Sequence, residues 1–199
     1  MALGKQAKTL SKRQVEQLLW YVSTTRNPVR NRVIVLLSVK AGLRAKEIAH
    51  LEWSMVTDAA GELADSISLT DKASKGRSGR VIPVNSLLLE ALHKLLELRR
   101  NKAGSDVLQD RLILSQRSKE VSPQVIVNMF CDWYRELGFK GCSSHSGRRT
   151  FITNMAQKIT VFQGSLRDVQ TLAGHSSLGQ TQRYIEPNER AKRAAVELI

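Results

Sequence analysis

Residues 145–149 hold one histidine and two arginines in a single short motif, HSGRR. His145, Arg148 and Arg149 stand at positions i, i+3 and i+4, so they share one face of a helix. The motif lies at the start of a predicted helix at 143–157, where backbone N–H groups favour an anion. It therefore predicts a phosphate-binding site, although a capped and solvated helix end would carry the same residues.

A second motif, LAGHSSLGQTQRYIE at residues 172–186, holds a histidine and a phenol nine residues apart. Gly174 ends one predicted helix, and a serine caps the next. His175 falls in the turn between them, so a short helix that folds back would bring its imidazole to Tyr184. A phenol is a nucleophile and an imidazole carries protons. Alone, however, a histidine and a tyrosine at this spacing carry little information.

A third motif, AGLRAKEI at residues 41–48, puts a cation at the start of a helix that directly follows an apolar one. Arg44 is then expected near the buried centre, where Glu47 at i+3 can pair with it. A pair of surface helices would show the same pattern. The motif is therefore a candidate anion site only in combination with the other two.

The polar stretch DKASKG, residues 71–76, lies between two short β runs that predict an antiparallel hairpin. Lys72 and Lys75 both fall in its turn. Either both are solvated, or one of them takes part in chemistry. A lysine near arginines has a lowered pKa and is suited to proton donation.

The charge balance of the 199-residue chain points to a polyanionic partner. Its 31 Lys and Arg residues against 18 Asp and Glu residues give a formal net charge of +13. This excess favours nucleic acid through counterion release, although a merely basic surface or attraction to a membrane surface would show it too. Aromatic residues make up only 5%, which weighs against RNA and single-strand readers. No apolar run has transmembrane length, and no motif indicates a metal ion.

Helical periodicity runs along most of the chain, with one region of β character at residues 52–84. Helices are predicted from a cap at Thr9 or Ser11, from about 28, and at 45–51, 85–100, 122–138, 143–157, 165–173, 177–185 and 188–199. RLILS at 111–115 is a further predicted strand. The expected core stripe of helix 122–138 consists of residues four apart: Val125, Met129, Trp133 and Leu137. The predicted fold class is mostly α with a small antiparallel β-sheet (α+β).

The order and spacing of the motifs resemble the tyrosine recombinase (phage integrase) family. That family's pattern runs GLR-x-x-E, a hairpin lysine in KG-x-x-x-R-x-x-P, H-x-x-R, LGH, and a tyrosine nine residues after that histidine. This chain supplies GLRAKE, KGRSGRVIP, HSGRR, LAGH and TQRY in the same order. The match extends from about Thr9 to Tyr184 and into the tail, with Ala173 as a minor departure.

The resemblance implies a DNA strand transesterification that needs no metal ion, ATP or other cofactor. The implied catalytic residues are Arg44, Lys75, His145, Arg148, His175 and the nucleophile Tyr184. Glu47 would support Arg44, and candidate DNA contacts are Lys72, Arg77, Arg80, Arg149 and Arg183. The family spacing selects Arg148 over Arg149 and Lys75 over Lys72. It also implies that His145 takes the phenol proton, His175 donates to the phosphate and Lys75 protonates the leaving oxygen.

Three segments are expected: a basic N-terminal segment at 1–10, the catalytic domain at 11–186 and a tail helix at 187–199. Family members usually carry a further N-terminal domain that clamps the DNA. The chain therefore resembles a catalytic domain alone, as in the short invertases, or part of a longer integrase. Cys131 and Cys142 form no CxxC pattern and indicate free thiols in a reducing cytoplasm.

As partners, the resemblance implies double-stranded DNA, a tetramer on paired sites and accessory DNA-bending proteins at the nucleoid, with no membrane. The tail would dock on a neighbouring subunit or pack on its own. The reaction would integrate, excise or invert DNA such as a mobile element. Two alternatives stay open: a catalytically silent DNA-binding regulator with the same fold, and topoisomerase-like relaxation without site preference.

Overall fold

A computed structural model of the chain describes residues 6–74, 78–103, 110–115, 120–185, 192–193 and 196–197. Its elements in chain order are α1 (Lys12–Ser23), α2 (Pro28–Lys40), α3 (Ala45–His50), β1 (Ser66–Leu69), β2 (Arg80–Pro83), α4 (Ser86–Ala103), α5 (Pro123–Glu136), α6 (Ser146–Lys158), α7 (Leu166–Ala173) and α8 (Leu178–Gln182). Short 3-10 turns lie at Trp53–Met55 and Ile159–Phe162. This content confirms the predicted class, mostly α with a small antiparallel sheet.

Helix α2 forms the centre of the core. Residues 33–37, an uninterrupted run of valine, isoleucine and leucine, are all fully buried. A helix that is apolar on every side must be covered on every side, and α1, α4 and α6 pack around it. The C-terminal end of α2 leads directly into residues 41–44, so this part of the site is built on the most buried element of the fold.

The two strands form one antiparallel hairpin, as predicted. Ser66 pairs with Pro83 and Leu69 pairs with Arg80. Side chains alternate between the two faces of a strand, and in β2 the alternation turns Arg80 and Ile82 inward while Val81 is exposed. The register therefore directs an arginine toward the interior at the start of β2.

The segment before α1 packs against the start of α6. The Lys8 backbone N–H donates to the Gly141 carbonyl at 3.0 Å, and the Leu10 N–H donates to the Thr150 hydroxyl at 2.7 Å. Ser11 is the cap of α1, one of the two predicted positions. Lys8 and Leu10 thus tie this segment to the region around the start of α6.

One local prediction is wrong and a second is right only in part. Residues 110–115 contain no strand, since Arg111 forms only a single bridge with Glu52. In α5 the predicted stripe is right at Trp133, which is buried, and at Met129 and Leu137, which pack against the core, but Val125 is 44% exposed and the stripe omitted the buried Ile126, Phe130 and Tyr134. Residues four apart advance by about 40° around a helix at every step, so a series of i+4 steps alone drifts off the buried face.

The predicted tail helix at 188–199 lies largely outside the described residues. Among the residues that are described, no helix has both the length and the apolar character needed to cross a membrane.

Candidate active site

Arg44 is the N-cap residue of α3, directly after the turn that follows α2. The Glu47 carboxylate accepts the Arg44 backbone N–H at 2.8 Å and the guanidinium Nη1 at 2.7 Å. Glu47 is fully buried, whereas the Arg44 side chain remains 25% exposed. One edge of the guanidinium is therefore anchored inside the protein, and the exposed part can meet an anion.

Arg148 is the third residue of α6 and is only 3% exposed. Its Nη1 donates to the Gly42 carbonyl at 2.7 Å and its Nη2 to the Ala173 carbonyl at 2.6 Å. One guanidinium thus joins the turn before α3 to the end of α7. Burial, and after it the charge of Arg44, lower the pKa of Arg148 to about 10, so the group remains a cation at neutral pH.

Gly42→Ala is expected to lower the free energy of unfolding by about 2–4 kcal/mol. Gly42 has φ 65°, in the left-handed region, and a Cβ there would overlap the Phe151 ring. Denaturant unfolding measures the loss. Gly138→Ala is the matched control, because Gly138 has φ 68° but nothing lies within 4 Å of its Cβ position. Equal losses in the two variants would contradict a packing role for Gly42.

His175 and Tyr184 form a stacked pair, with ring centroids 5.4 Å apart and an interplanar angle of 22°. His175 follows Gly174, which ends α7 in the left-handed conformation. Its Nδ1 lies 2.9 Å from the Thr181 hydroxyl oxygen. Tyr184 follows α8, and its backbone N–H donates to the Thr181 carbonyl at 3.0 Å. The short helix α8 therefore folds the phenol back onto the imidazole, as the sequence predicts.

The Tyr184 ring rests on a small apolar cluster that is separate from the main core. The cluster is formed by Phe151, Ile152, Val169 and Ala173 of α6 and α7. The Thr153 hydroxyl also donates to the Tyr184 carbonyl at 3.3 Å. The nucleophile candidate is thus half-buried on α6, which carries Arg148, and on α7, whose Ala173 carbonyl accepts a hydrogen bond from Arg148.

Burial lowers the pKa of His175 to about 4, with further lowering by the charges of Arg148, Arg44 and Arg80. The imidazole is therefore neutral at neutral pH. A neutral ring has one donor and one acceptor nitrogen. If Nδ1 accepts the Thr181 hydroxyl hydrogen, Nε2 carries the proton and can donate it in a hydrogen bond.

His145 is the N-cap residue of α6 and is exposed. Together with Arg148, Arg149, Arg183 and Tyr184 it lines a cavity of about 370 Å³. Desolvation by the surrounding protein atoms, followed by the charges of Arg148 and Arg44, lowers the pKa of His145 although its side chain is reached by solvent. The neutral form that can accept a proton is thereby favoured, and it lies in the same cavity as the phenol.

Arg44 and His175 line a second cavity, of about 760 Å³. The His175–Tyr184 stack connects this cavity to the one that His145 lines. Five of the six predicted catalytic residues are therefore brought together by the fold: Arg44, His145, Arg148, His175 and Tyr184. The sixth, Lys75, lies outside the described residues.

The candidate DNA contacts have different surroundings. The Arg149 guanidinium lies 6.0 Å from the Tyr184 ring centroid and donates to the Gln6 side chain. Arg183 is exposed beside the same cavity. Both therefore line the cavity that contains Tyr184, and their contact with DNA remains a prediction.

The three remaining cations of the hairpin are Lys72, Lys75 and Arg77, and the structure describes only Lys72. Lys72 is exposed and lines a different cavity together with His50 and Arg111. Arg77, like Lys75, lies outside the described residues. The role of all three hairpin cations remains a prediction.

Arg80 was predicted to contact DNA, and its surroundings contradict this. Its side chain is only 3% exposed. The guanidinium donates to both Glu47 carboxylate oxygens, at 3.0 and 3.1 Å, and its Nε donates to the Leu172 carbonyl at 2.8 Å. Its donors are used inside the protein because β2 turns this position inward.

Sequence reasoning missed Thr181, which is fully buried and holds His175 through its hydroxyl. Its position three residues before Tyr184 on a short helix was the available signal, since residues at i and i+3 share a face. The acceptors of Arg148 were also missed, because backbone carbonyls have no sequence signature.

Comparison with known proteins finds tyrosine recombinases among the proteins that this chain is similar to. The model of the phage integrase family matches residues 8–190. Tyrosine recombinase XerA of Thermococcus onnurineus is 28% identical over 190 residues, which are 96% of this chain and 62% of that protein. Tyrosine recombinase XerC of Shewanella amazonensis is 31% identical over 189 residues, 92% of this chain and 59% of that protein. The chain thus spans about three fifths of the length of these curated relatives.

Solved structures show the same fold. The XerA recombinase crystal structure has a TM-score of 0.72 at 25% identity, covering 96% of this chain and 64% of that one. The Tn1549 transposon integrase in complex with a circular intermediate DNA has a TM-score of 0.77 at 18% identity, covering 99% and 67%. With the family model matching nearly the whole chain, the resemblance seen in the motifs is confirmed: this chain belongs to the phage integrase family.

Proposed function

We propose that this protein is a site-specific DNA recombinase that cleaves and rejoins DNA through a 3′-phosphotyrosyl intermediate. The observation that carries the proposal is the convergence of a phenol, two histidines and two arginines on two cavities joined by the His175–Tyr184 stack. The Tn1549 integrase and the XerH recombinase, which share the fold, are bound to DNA in their structures. Together with the net charge of +13, this supports double-stranded DNA as the substrate.

In the proposed first step, the Tyr184 oxygen attacks phosphorus and its proton passes to His145. The new phosphorus–oxygen bond forms as the bond to the 5′-oxygen breaks. By the family resemblance, Lys75 supplies the proton that this leaving oxygen needs. The 5′-hydroxyl of a second strand then reverses the step, so the bond energy is kept and no ATP is required.

Negative charge builds on the non-bridging phosphate oxygens in the transition state. Arg44 and Arg148 offer fixed cationic donors to those oxygens, each worth about 3–4 kcal/mol by analogy with oxyanion holes. His175 donates a hydrogen bond to the same phosphate from Nε2. This electrostatic role is the one that a metal ion fills in other phosphoryl-transfer enzymes.

We further propose assembly as a tetramer on paired DNA sites, with accessory DNA-bending proteins and with residues 187–199 docking on a neighbour. Such an enzyme integrates, excises or inverts DNA of a mobile element or chromosome. An enzyme with this substrate is expected to work in the cytoplasm, at the nucleoid.

Covalent trapping tests the proposed function. The protein is incubated with a pool of nicked duplexes of random sequence in EDTA, and denaturation-resistant protein–DNA adducts are isolated and sequenced. Adducts that share one sequence and link DNA to Tyr184 are expected, because the nick lets the cleaved 5′-hydroxyl strand diffuse away. Adduct formation that requires a divalent cation would contradict the metal-independent mechanism.

The same experiment separates the alternatives. Sequence-specific binding with no adduct would identify a silent DNA-binding regulator. Adducts without a shared sequence, together with relaxation of any supercoiled plasmid, would identify a topoisomerase-like activity.

A further inference from the structure

Arg80 and Glu47 form a charge pair in the interior of the catalytic domain. The Arg80 side chain is 3% exposed and the Glu47 side chain is fully buried. Two parallel N–H···O bonds join them, at 3.0 and 3.1 Å. Burying two charges costs desolvation energy that such a pair barely recovers. A contribution to folding stability is therefore a weak explanation for the pair, and its neighbours suggest another one.

Glu47 is shared between two arginines. The same carboxylate accepts the Arg44 backbone N–H and the Arg44 Nη1. Because Arg80 occupies one side of both carboxylate oxygens, Arg44 can reach Glu47 only through one edge of its guanidinium. Without Arg80, Arg44 would be the only arginine bound to Glu47, and a two-bond pairing of its guanidinium with both carboxylate oxygens would draw it inward, away from the cavity it lines.

Arg80 also supports the turn that carries His175. Its Nε donates to the Leu172 carbonyl at 2.8 Å. Its guanidinium lies so close under the turn that a Cβ on Gly174 would stand 2.8 Å from Nη1. Arg80 therefore contacts Glu47, which holds Arg44, and the turn that carries His175. That turn includes Ala173, whose carbonyl accepts Arg148.

We propose that Arg80 is a positioning residue for strand cleavage: it holds Glu47 and the Leu172–Gly174 turn so that Arg44 and His175 face one phosphate. This inference rests on the proposed function of the site. Arg80 borders the same cavity as Arg44 and His175, but its side chain is only 3% exposed and its donors are bonded inside the protein, so we expect it to act through its neighbours and not by touching DNA. It fixes the groups that do, and a displacement of about 1 Å in such groups is enough to lower a rate by about 10²-fold.

Arg80→Met is expected to lower the single-turnover rate of cleavage of a nicked duplex, carrying the sequence recovered by covalent trapping, by about 10²-fold. DNA affinity should change by less than about threefold, because Arg80 makes no DNA contact. Arg80→Lys should recover part of the rate. Arg111→Met is the matched control, since Arg111 pairs with Glu52 at 2.8 Å and lines neither active-site cavity; its cleavage rate should stay within about threefold of the original.

A double variant tests whether Arg80 acts through its neighbours. Adding Arg80→Met to Arg44→Ala should cost much less than the product of the two separate losses, because residues that act as a unit are not additive. Losses that multiply fully would overturn the inference, as would equal losses in Arg80→Met and Arg111→Met. If Arg80→Met does not fold, the double variant Glu47→Gln/Arg80→Met, which removes both buried charges, replaces it in the cleavage assay.

Guanidinium NMR of the intact protein separates this inference from the proposed function. Faster exchange of the Arg44 guanidinium protons is expected in the wild-type protein, where the Arg44 side chain is 25% exposed, and slower exchange in Arg80→Met, where the guanidinium moves onto Glu47; both are measured with no DNA present. If that change occurs but the wild-type protein forms no adduct, Arg80 does hold Arg44 in place and it is the proposed function that fails. If adducts form and Arg80→Met alters neither exchange nor cleavage, the positioning role is overturned.

Discussion

Tyr184→Phe is expected to abolish the covalent protein–DNA adduct while DNA binding and folding stay nearly unchanged. The substitution removes only the attacking oxygen. The ring would keep its stack on His175 and its packing on the apolar cluster of α6 and α7. The measurements are adduct formation on a nicked duplex, DNA affinity by electrophoretic shift, and thermal unfolding.

Tyr134→Phe is the matched control for this prediction. The Tyr134 hydroxyl is buried and has no hydrogen-bond partner among the described residues, so its removal should cost nothing. Burial raises the pKa of Tyr134 well above its usual value, which further disfavours a nucleophilic phenolate there. Adduct formation that survives Tyr184→Phe but not Tyr134→Phe would refute the assignment of the nucleophile.

The sequence predicted the parts of the site whose spacing follows a helix. His145, Arg148 and Arg149 belong to the first turn of α6, and α8 returns Tyr184 to His175, because caps and glycines mark those helix ends. What joins these parts was beyond sequence reasoning. Contacts between residues more than a hundred positions apart, such as Arg148 with the Gly42 carbonyl, depend on tertiary packing.

Arg80 shows that the charge of a side chain does not by itself predict whether it contacts DNA. On a basic chain, an arginine at a hairpin was assigned to DNA because arginines usually lie at the surface. Strand alternation turned it inward instead, toward a glutamate that is 33 residues earlier in the chain. The family pattern contains this arginine, but neither the pattern nor the local sequence says which face of the strand meets Glu47.

Arg148→Lys is expected to lower the single-turnover cleavage rate by about 10³-fold, the loss that follows removal of a fixed transition-state donor. Arg148 bonds two carbonyls, at 2.7 and 2.6 Å, with different nitrogens. A lysine ammonium is a point donor and cannot hold both carbonyls and a phosphate in one plane. A buried carbonyl left unpaired should also lower the free energy of unfolding by about 1–3 kcal/mol.

Arg149→Lys distinguishes this role from general basicity at the same helix start. Arg149 is the next residue in sequence, lines the same cavity as Tyr184, and contacts Gln6 rather than buried carbonyls. Its substitution keeps the charge and should reduce the cleavage rate by less than about tenfold, mainly through weaker DNA binding at higher salt. A larger loss in Arg149→Lys than in Arg148→Lys would mean that the phosphate meets the outer arginine, and that the buried guanidinium serves only to join α3, α6 and α7.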